Sequence, residues 1–316
     1  MNLLSQLPSI ITLGFDLSKH YLFSTSKLLI VTWSLTNRCN LRCTYCGIPG
    51  IESNELESEE LISYLDKVIE AGVKVISLTG GEPILHRDFR RFVLHARKRG
   101  VLLSLNTNGI LIEKNVDFIK ENFYQVVISL DGPKDIHDLY RGSGSYLKAL
   151  HPIQLIKDKN IKVTATTVIT KTASKNIEQI LTFSKQERIQ ISYQFVSPKS
   201  LVTFEDTDEK LTVSEMNDCL HKLIEQKRFN KYISNSKRTL LFIKNSIKAT
   251  KEFDCKAGKF FARIQSNGDI KKCGRVQPYV KYKGIDNLDI HSTLNELQSF
   301  RKCTLCLTQS ALKVSI

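Results

Sequence analysis

The sequence predicts a parallel α/β fold, read as a six-stranded (β/α)6 TIM-like barrel with a smaller C-terminal domain. Three observations predict it. Six short apolar, β-branched runs between residues 31 and 196 alternate with amphipathic helical stretches. Polar and glycine-rich residues gather at the carboxyl ends of those runs, as TNRC, TGGEP, NTNG, SLDGP, TK and YQ. In parallel barrels that rim carries the chemistry, and six contributing ends suit a barrel better than an open sheet with one dominant crevice. After Pro198 the alternation stops and a cysteine-bearing segment of different pattern follows.

The elements follow in order. The strand runs are VTWSL (31–35), KVISLTG (74–80), LLSLNTNG (102–109), VVISLDG (126–132), KVTATTVI (162–169) and IQISYQFV (189–196). Between them, residues 55–72, 87–100, 113–123, 145–160 and 174–187 place apolar residues three and four apart, which predicts helices. Residues 214–229 predict a further helix with Ser214 as N-cap. Met216, Cys219, Leu220, Leu223 and Ile224 share one of its faces, so Cys219 reads as a buried small hydrophobe. In FFARIQSNGDIKKC, Asn267-Gly268 between two strand-like runs signals a tight hairpin. The expected divisions are a lead-in segment at 1–30, a core at 31–200, connecting helices at 201–254 and a C-terminal domain at 255–316.

The chain has 316 residues, 41% hydrophobic and 25% charged, an ordinary globular composition. No apolar run approaches the roughly 18 residues of a membrane span. Asp16, Lys19, His20 and Lys27 interrupt the N-terminal segment, which reads as packed on the main domain, with peripheral membrane contact as the minor alternative. Net charge is +14. Lys222, Lys227, Arg228, Lys231, Lys237, Arg238, Lys244, Lys248 and Lys251 face only Glu225 in their segment. This is either a solvated helical face or a docking surface for an anionic substrate or acidic peptide, placed where it could face the barrel mouth. No nucleic-acid-binding motif accompanies it, so no nucleic acid partner is expected.

Seven of the eight cysteines fall in two groups, and without a secretory signal such grouping reads as metal or redox use in a reducing, cytoplasmic compartment. The first group, Cys39, Cys43 and Cys46, follows the first strand directly. Three thiolates can hold three irons of a cubane cluster and leave the fourth iron open to another ligand, at the carboxyl-end mouth.

Cys39-x3-Cys43-x2-Cys46, with Tyr45 before the last cysteine, resembles the signature of the radical S-adenosylmethionine (SAM) superfamily. TGGEP (79–83), LNTNG, ISLDGP and HDLYRG follow in that family's order and spacing. The resemblance covers about residues 30 to 200 and implies a partial barrel. It implies that Cys39, Cys43 and Cys46 ligate a [4Fe–4S] cluster whose open iron is chelated by SAM. Gly80, Gly81 and Glu82 would hold the SAM amino group, the glycines because backbone must approach the ligand closely. Ser129 and Arg141 match positions at the ribose and carboxylate end, Tyr45 would lie near adenine, and Val168 and Ile169 would flank it. Asn106 and Asp131 are candidates on the rim that serve equally as turn-formers. The implied chemistry is one-electron cleavage of SAM to methionine and a 5′-deoxyadenosyl radical, which abstracts a hydrogen from the substrate. A reducing partner such as flavodoxin or ferredoxin is implied.

The second group, Cys255, Cys273, Cys303 and Cys306, resembles the auxiliary-cluster motif of SPASM and twitch enzymes, with Gly268 in the hairpin turn. The full SPASM form continues with further cysteines, whereas LTQSALKVSI has none. One auxiliary [4Fe–4S] cluster is therefore implied, in a twitch/SPASM-like domain. A structural zinc site with four cysteine ligands remains the alternative. Relatives of this kind oxidise or cross-link residues in ribosomal peptides or mature other proteins, and others dehydrogenate small alcohols or build lipids and cofactors. The molybdenum-cofactor cyclase branch carries a different C-terminal cysteine triplet. The competing class is an iron–sulfur redox or sensing protein without SAM turnover, for which TGGEP and Arg141 have no use.

Overall fold

The computed structural model describes residues 28–52, 54–195, 209, 211–248, 257–273 and 279–299. Six parallel strands appear where the apolar runs predict them: β1 (Ile30–Thr36), β2 (Val75–Gly80), β3 (Leu102–Thr107), β4 (Gln125–Ser129), β5 (Lys162–Ile169) and β6 (Ile191–Phe195). Helices α1 (Ser58–Glu70), α2 (Phe89–Lys98), α3 (Val116–Asn122), α4 (Lys134–Arg141), α5 (Ser145–Asp158), α6 (Lys171–Lys175) and α7 (Ile177–Gln186) connect them. They are followed by α8 (Val213–Gln226) and α9 (Lys237–Lys248).

The C-terminal hairpin is not a separate layer. Strand β7 (Phe261–Ile264) pairs in parallel with β1, and β8 (Ile270–Lys271) and β9 (Tyr279–Val280) continue antiparallel. The sheet order is β6-β5-β4-β3-β2-β1-β7-β8-β9, so the barrel is partial: β1 gives its free edge to β7 and not to β6. A last helix, α10 (Ile290–Ser299), follows.

Register divides the two faces of the sheet by chemistry. Trp33, Leu78, Leu105, Val126, Ile128, Ala165 and Ile264 are buried, and residues at alternate positions of a strand share a face. On this face Trp33 sits edge-on between Tyr64 of α1 and Phe92 of α2, with centroids at 5.3 and 5.0 Å. The other face is polar. Thr32, Ser77 and Ser104 are level with one another, as are Ser34 and Thr79. Asn106 Nδ2 donates to Ser77 Oγ at 2.8 Å across this face. Helices cover one side only, and the other lines a lumen.

Thr212, not Ser214, caps α8: its side chain accepts from the Glu215 N–H, and Glu215 reaches back to the Thr212 N–H. Both residues are good caps, but only Thr212 has a glutamate three residues on, and the reciprocal pair satisfies two donors at once. Cys219 is buried on the apolar face of that helix, as its spacing predicts.

Asn267-Gly268 does turn the β7–β8 hairpin, with Gly268 at φ +84°. Tyr64 donates to the Gly268 carbonyl at 2.8 Å and stacks on Tyr282, whose hydroxyl donates to Glu60. A Cβ at Gly268 would stand 2.8 Å from the Tyr282 ring. Gly268→Ala therefore meets both backbone strain and a clash. It should cost about 1–3 kcal/mol and lower the melting temperature, whereas Asn267→Ala, on an exposed residue, should change it little. Equal melting of the two variants and the parent would contradict this.

Candidate SAM and cluster site

The loop after β1 is held from two sides. Gly81 N–H donates to the Thr36 carbonyl and Glu82 N–H to the Arg38 carbonyl, both at 2.8 Å. Glu55 braces it from beneath, accepting from Thr36 Oγ1 and pairing with Arg38 at 3.0 Å and His86 at 3.5 Å. A Cβ at Gly81 would run into the Arg38 carbonyl oxygen, and one at Gly80, where φ is +132°, into that of Thr36. From the sequence these glycines are expected to admit the ligand. The nearer reason is approach of the cysteine loop itself, because the β2 end must lie against that loop's backbone.

This contact brings the rim together. A cavity of about 170 Å³ is lined by Cys39, Cys43, Tyr45 and Cys46 from the loop, by Gly80 and Gly81, and by Asn106, Ser129 and Arg141. The remaining expected residues stand off the cavity wall. Glu82 is fully buried behind it, accepting from Thr107 Oγ1 at 2.8 Å and the Asn108 N–H at 2.9 Å. Asp131 is buried too, and receives Tyr45 Oη at 2.8 Å, Arg141 Nε at 2.6 Å and the Val168 N–H at 3.1 Å. Val168 thus enters through its backbone, and Ile169 is wholly buried in the core. Cys273 is buried in the C-terminal hairpin, while Cys255, Cys303 and Cys306 lie outside the described residues.

Thr79, Thr107, Asn108, Leu41 and Pro49 also line the cavity and were not anticipated. Asn108 was the most readable of them. It lies two residues past Asn106 in the same NTNG stretch, and its Nδ2 donates to Asn40 at 2.7 Å and reaches the Cys39 sulfur at 3.8 Å.

Electrostatics follow from burial. Burial pushes the Cys43 thiol up to about 11, with Cys46, Asp131 and Cys39 adding and the Arg141 charge opposing. Cys39 is raised by burial as well. Metal uptake here must expel protons, so it costs less as pH rises. Burial would raise Asp131, but Arg141, His137 and the Val168 N–H outweigh it and hold the carboxylate ionised. Arg141 stays charged against its own burial because of Asp131, Tyr45 and Cys43. With two nitrogens on Asp131, the guanidinium keeps Nη1 toward Cys43, at 3.9 Å from its sulfur.

The donor set suits a cluster. Among the described residues no three Cys, His or acidic side chains close on one point as ligands of a single ion do. The three thiols share a cavity wall instead, which is what a cluster requires when each thiolate takes its own iron.

Part of the basic segment, the turn at residues 227–232, lies away from the mouth. Lys227, Arg228 and Lys231 line a separate surface depression with the exposed Phe229. The backbone of Tyr232 and Ser234 bonds to Ile191, the first residue of β6, so this turn sits at the amino end of the barrel. This turn faces away from the mouth; residues 233–235 then run alongside β6 to α9, which carries Lys237, Arg238, Lys244 and Lys248, and Lys251 lies outside the described residues.

Three thiols on one rim loop of a partial barrel define the class. Residues 33–184 match the Radical SAM superfamily, and the chain carries a radical SAM domain over that span. Members of that superfamily bind SAM and a [4Fe–4S] cluster. Among curated relatives, the Fe-coproporphyrin III synthase of Methanosarcina barkeri is 33% identical over 173 residues, 53% of this chain and 43% of that protein. The GTP 3',8-cyclase of Helicobacter pylori is 36% identical over 171 residues, 51% of this chain and 53% of that protein. The chain spans about half the length of these curated relatives. A solved structure, native anSMEcpe with bound AdoMet and Cp18Cys peptide, shares the fold with a TM-score of 0.68 at 21% identity, over 86% of this chain and 80% of that one. Among the described residues no helix is long and apolar enough to cross a membrane.

Glu82 gives a pH prediction. Burial raises its pKa from 4.5 to about 7, against the Asn108 N–H, Thr107 and the Ile84 N–H. An acid that holds its proton more tightly folded than unfolded stabilises the fold at low pH. Stability then falls between pH 4.5 and about 7 and is flat above. A tenfold tighter hold on the proton is worth about 1.4 kcal/mol. Thermal melts of the metal-free protein should show this decline, and Glu82→Gln should flatten it. An unchanged slope in Glu82→Gln would contradict the assignment.

Proposed function

We propose that the protein reductively cleaves SAM and uses the 5′-deoxyadenosyl radical to take a hydrogen atom from its substrate. The observation that carries this reading is the single cavity lined by Cys39, Cys43, Cys46, the Gly80–Gly81 backbone and Arg141. Cys39, Cys43 and Cys46 would hold the [4Fe–4S] cluster, which when bound supplies the electron for C–S cleavage. Gly80 and Gly81 would present backbone to the SAM amino group, and Ser129 and Asn106 would meet the ribose side. Arg141 would use its remaining nitrogen for the SAM carboxylate, with Asp131 fixing its plane. Tyr45, tied through its hydroxyl to Asp131, would offer its ring to adenine. Glu82, near half-protonated at neutral pH, would become ionised beside an ammonium group.

Cys255, Cys273, Cys303 and Cys306 would hold the auxiliary [4Fe–4S] cluster, supplying an acceptor for the electron that an oxidised product must lose. The classes that suit are maturation of a peptide or protein and oxidation of a small metabolite. The fold shared with a structure that carries AdoMet and a peptide supports the first. A flavodoxin or ferredoxin would supply the reducing electron.

Reconstituted without oxygen, the protein should hold about eight irons. Replacing Cys39, Cys43 and Cys46 together by Ala should remove about four of them and abolish 5′-deoxyadenosine formation. Continued cleavage of SAM by that variant would refute the reading, and zinc in place of the remaining irons would refute the acceptor role.

A further inference from the structure

The turn between α8 and α9 carries the most exposed large apolar side chain among the described residues. Phe229 is 82% exposed, against 63% for the next, Leu147. With Lys185, Lys227, Arg228, Asn230, Lys231 and Tyr232 it lines a surface depression of about 440 Å³. The turn is fastened, so Phe229 is held outward. Asn230 is buried, accepts from the Tyr232 N–H at 2.9 Å and reaches Ser184 Oγ at 3.4 Å. The Tyr232 carbonyl accepts from the Ile191 N–H at 2.8 Å. A single exposed ring is ordinary on a protein surface, and its surroundings decide whether it has a use.

Those surroundings are cationic. Among the described residues no acid forms an ion pair with Lys185, Lys227, Arg228 or Lys231. Lys227 donates to the Ile233 carbonyl, and Lys231 lies over the Tyr232 ring at 5.4 Å. The acids nearest along the chain turn elsewhere, Glu225 to His221 at 3.4 Å and Glu187 toward Lys157. The positive field also extends beyond the turn. Each barrel helix runs back from the mouth, so its last turn lies at the amino end of the strands. There α2 ends with Lys98, α3 with Lys120 and α7 with Lys185. Exposed Lys162 and Arg188 stand at the starts of β5 and β6, with exposed Glu121 and Asp158 interspersed. The helix dipole accounts for cations in the last turns of helices. It does not account for Arg228, Phe229 and Lys231, which belong to a turn.

We propose that this end of the barrel docks on an anionic membrane surface, with Phe229 entering the interface and the cationic depression receiving a lipid phosphate. One occupant uses every observation. The headgroup boundary takes a protruding ring out of water, lipid phosphates meet the cations around the depression, and a plane of negative charge reaches the cations spread over the end of the barrel together. A short acidic peptide would fill the depression alone and leave the ring and the cations at β5 and β6 in water. With the amino end on the membrane, the cavity of the three thiols, at the opposite end of the strands, stays open to solution. The inference stands apart from the radical chemistry and holds or fails without it.

The test is co-sedimentation of the whole chain with vesicles of phosphatidylcholine alone and of phosphatidylcholine with phosphatidylglycerol. The anionic vesicles should bind at least about tenfold more tightly than the neutral ones. Arg228→Gln and Lys231→Gln should each weaken binding about fivefold, and Phe229→Ser should weaken it further. Lys148→Gln, at the start of α5 on the mouth side, removes the same charge and should leave binding unchanged. Trp33 is the chain's one tryptophan and is buried, so Phe229→Trp supplies a reporter. Its emission should move to the blue on anionic vesicles and be quenched by brominated lipid. Equal losses in Lys231→Gln and Lys148→Gln would mean attraction by net charge alone and overturn the proposal. So would full binding by Phe229→Ser together with an unquenched Phe229→Trp. Release from the vesicles by inorganic phosphate at constant ionic strength would reduce the depression to a free-phosphate site. Binding of polyglutamate or duplex DNA without binding of vesicles would assign another partner, and either result overturns the membrane assignment.

Discussion

Two backbone hydrogen bonds, from Gly81 and Glu82 to the carbonyls of Thr36 and Arg38, fix the rest of the site. They set the cysteine loop against the end of β2, and they are possible only because residues 80 and 81 carry no Cβ. Once the loop is fixed, Tyr45 is placed to reach Asp131, Asp131 orients Arg141, and Arg141 reaches back to Cys43. The chain of contacts closes on the loop where it began. Loss of the first link would loosen thiols, ring and guanidinium together. Such loops are built on rigid strand ends because catalytic geometry tolerates little displacement.

The two faces of the sheet divide packing from the cavity. Its helix-side face is apolar and closely packed around Trp33, Tyr64 and Phe92. Its other face is hydroxyl- and amide-lined and enters the SAM cavity at Thr79, Asn106 and Ser129. Docking of β7 on β1 carries Arg263 onto that face and leaves Cys273 close enough to act on it. The described C-terminal strands therefore continue the same sheet whose strand ends line the cavity.

Much of this was legible from the sequence, for definite physical reasons. The six strands were readable because apolar, β-branched runs ended in turn-forming residues, and the cysteine loop because thiol spacing is chemically distinctive. The polar lumen could have been read too: VTWSL, VISLTG and LLSLNT alternate hydroxyl or amide with apolar side chains, whereas strands buried on both faces are continuously apolar. The pairing of β7 with β1 was not readable, since four residues carry no label for a distant parallel partner. Nor was the position of the basic turn, because net charge says nothing about which end of a barrel a segment reaches. Asp131 read equally as a site candidate and as a turn-former; its role as acceptor for Tyr45, Arg141 and Val168 depends on contacts up to 86 positions apart along the chain.

The central claim is that the thiols of Cys39, Cys43 and Cys46 leave one iron open in the cavity where SAM binds. Electron paramagnetic resonance of the reduced protein reads this directly, with Cys255, Cys273, Cys303 and Cys306 all replaced by Ala to remove the auxiliary signal. Addition of SAM should change the g-values of the remaining cluster, and the change should saturate with SAM concentration. A spectrum indifferent to saturating SAM, with the cluster intact and reduced, would contradict the account.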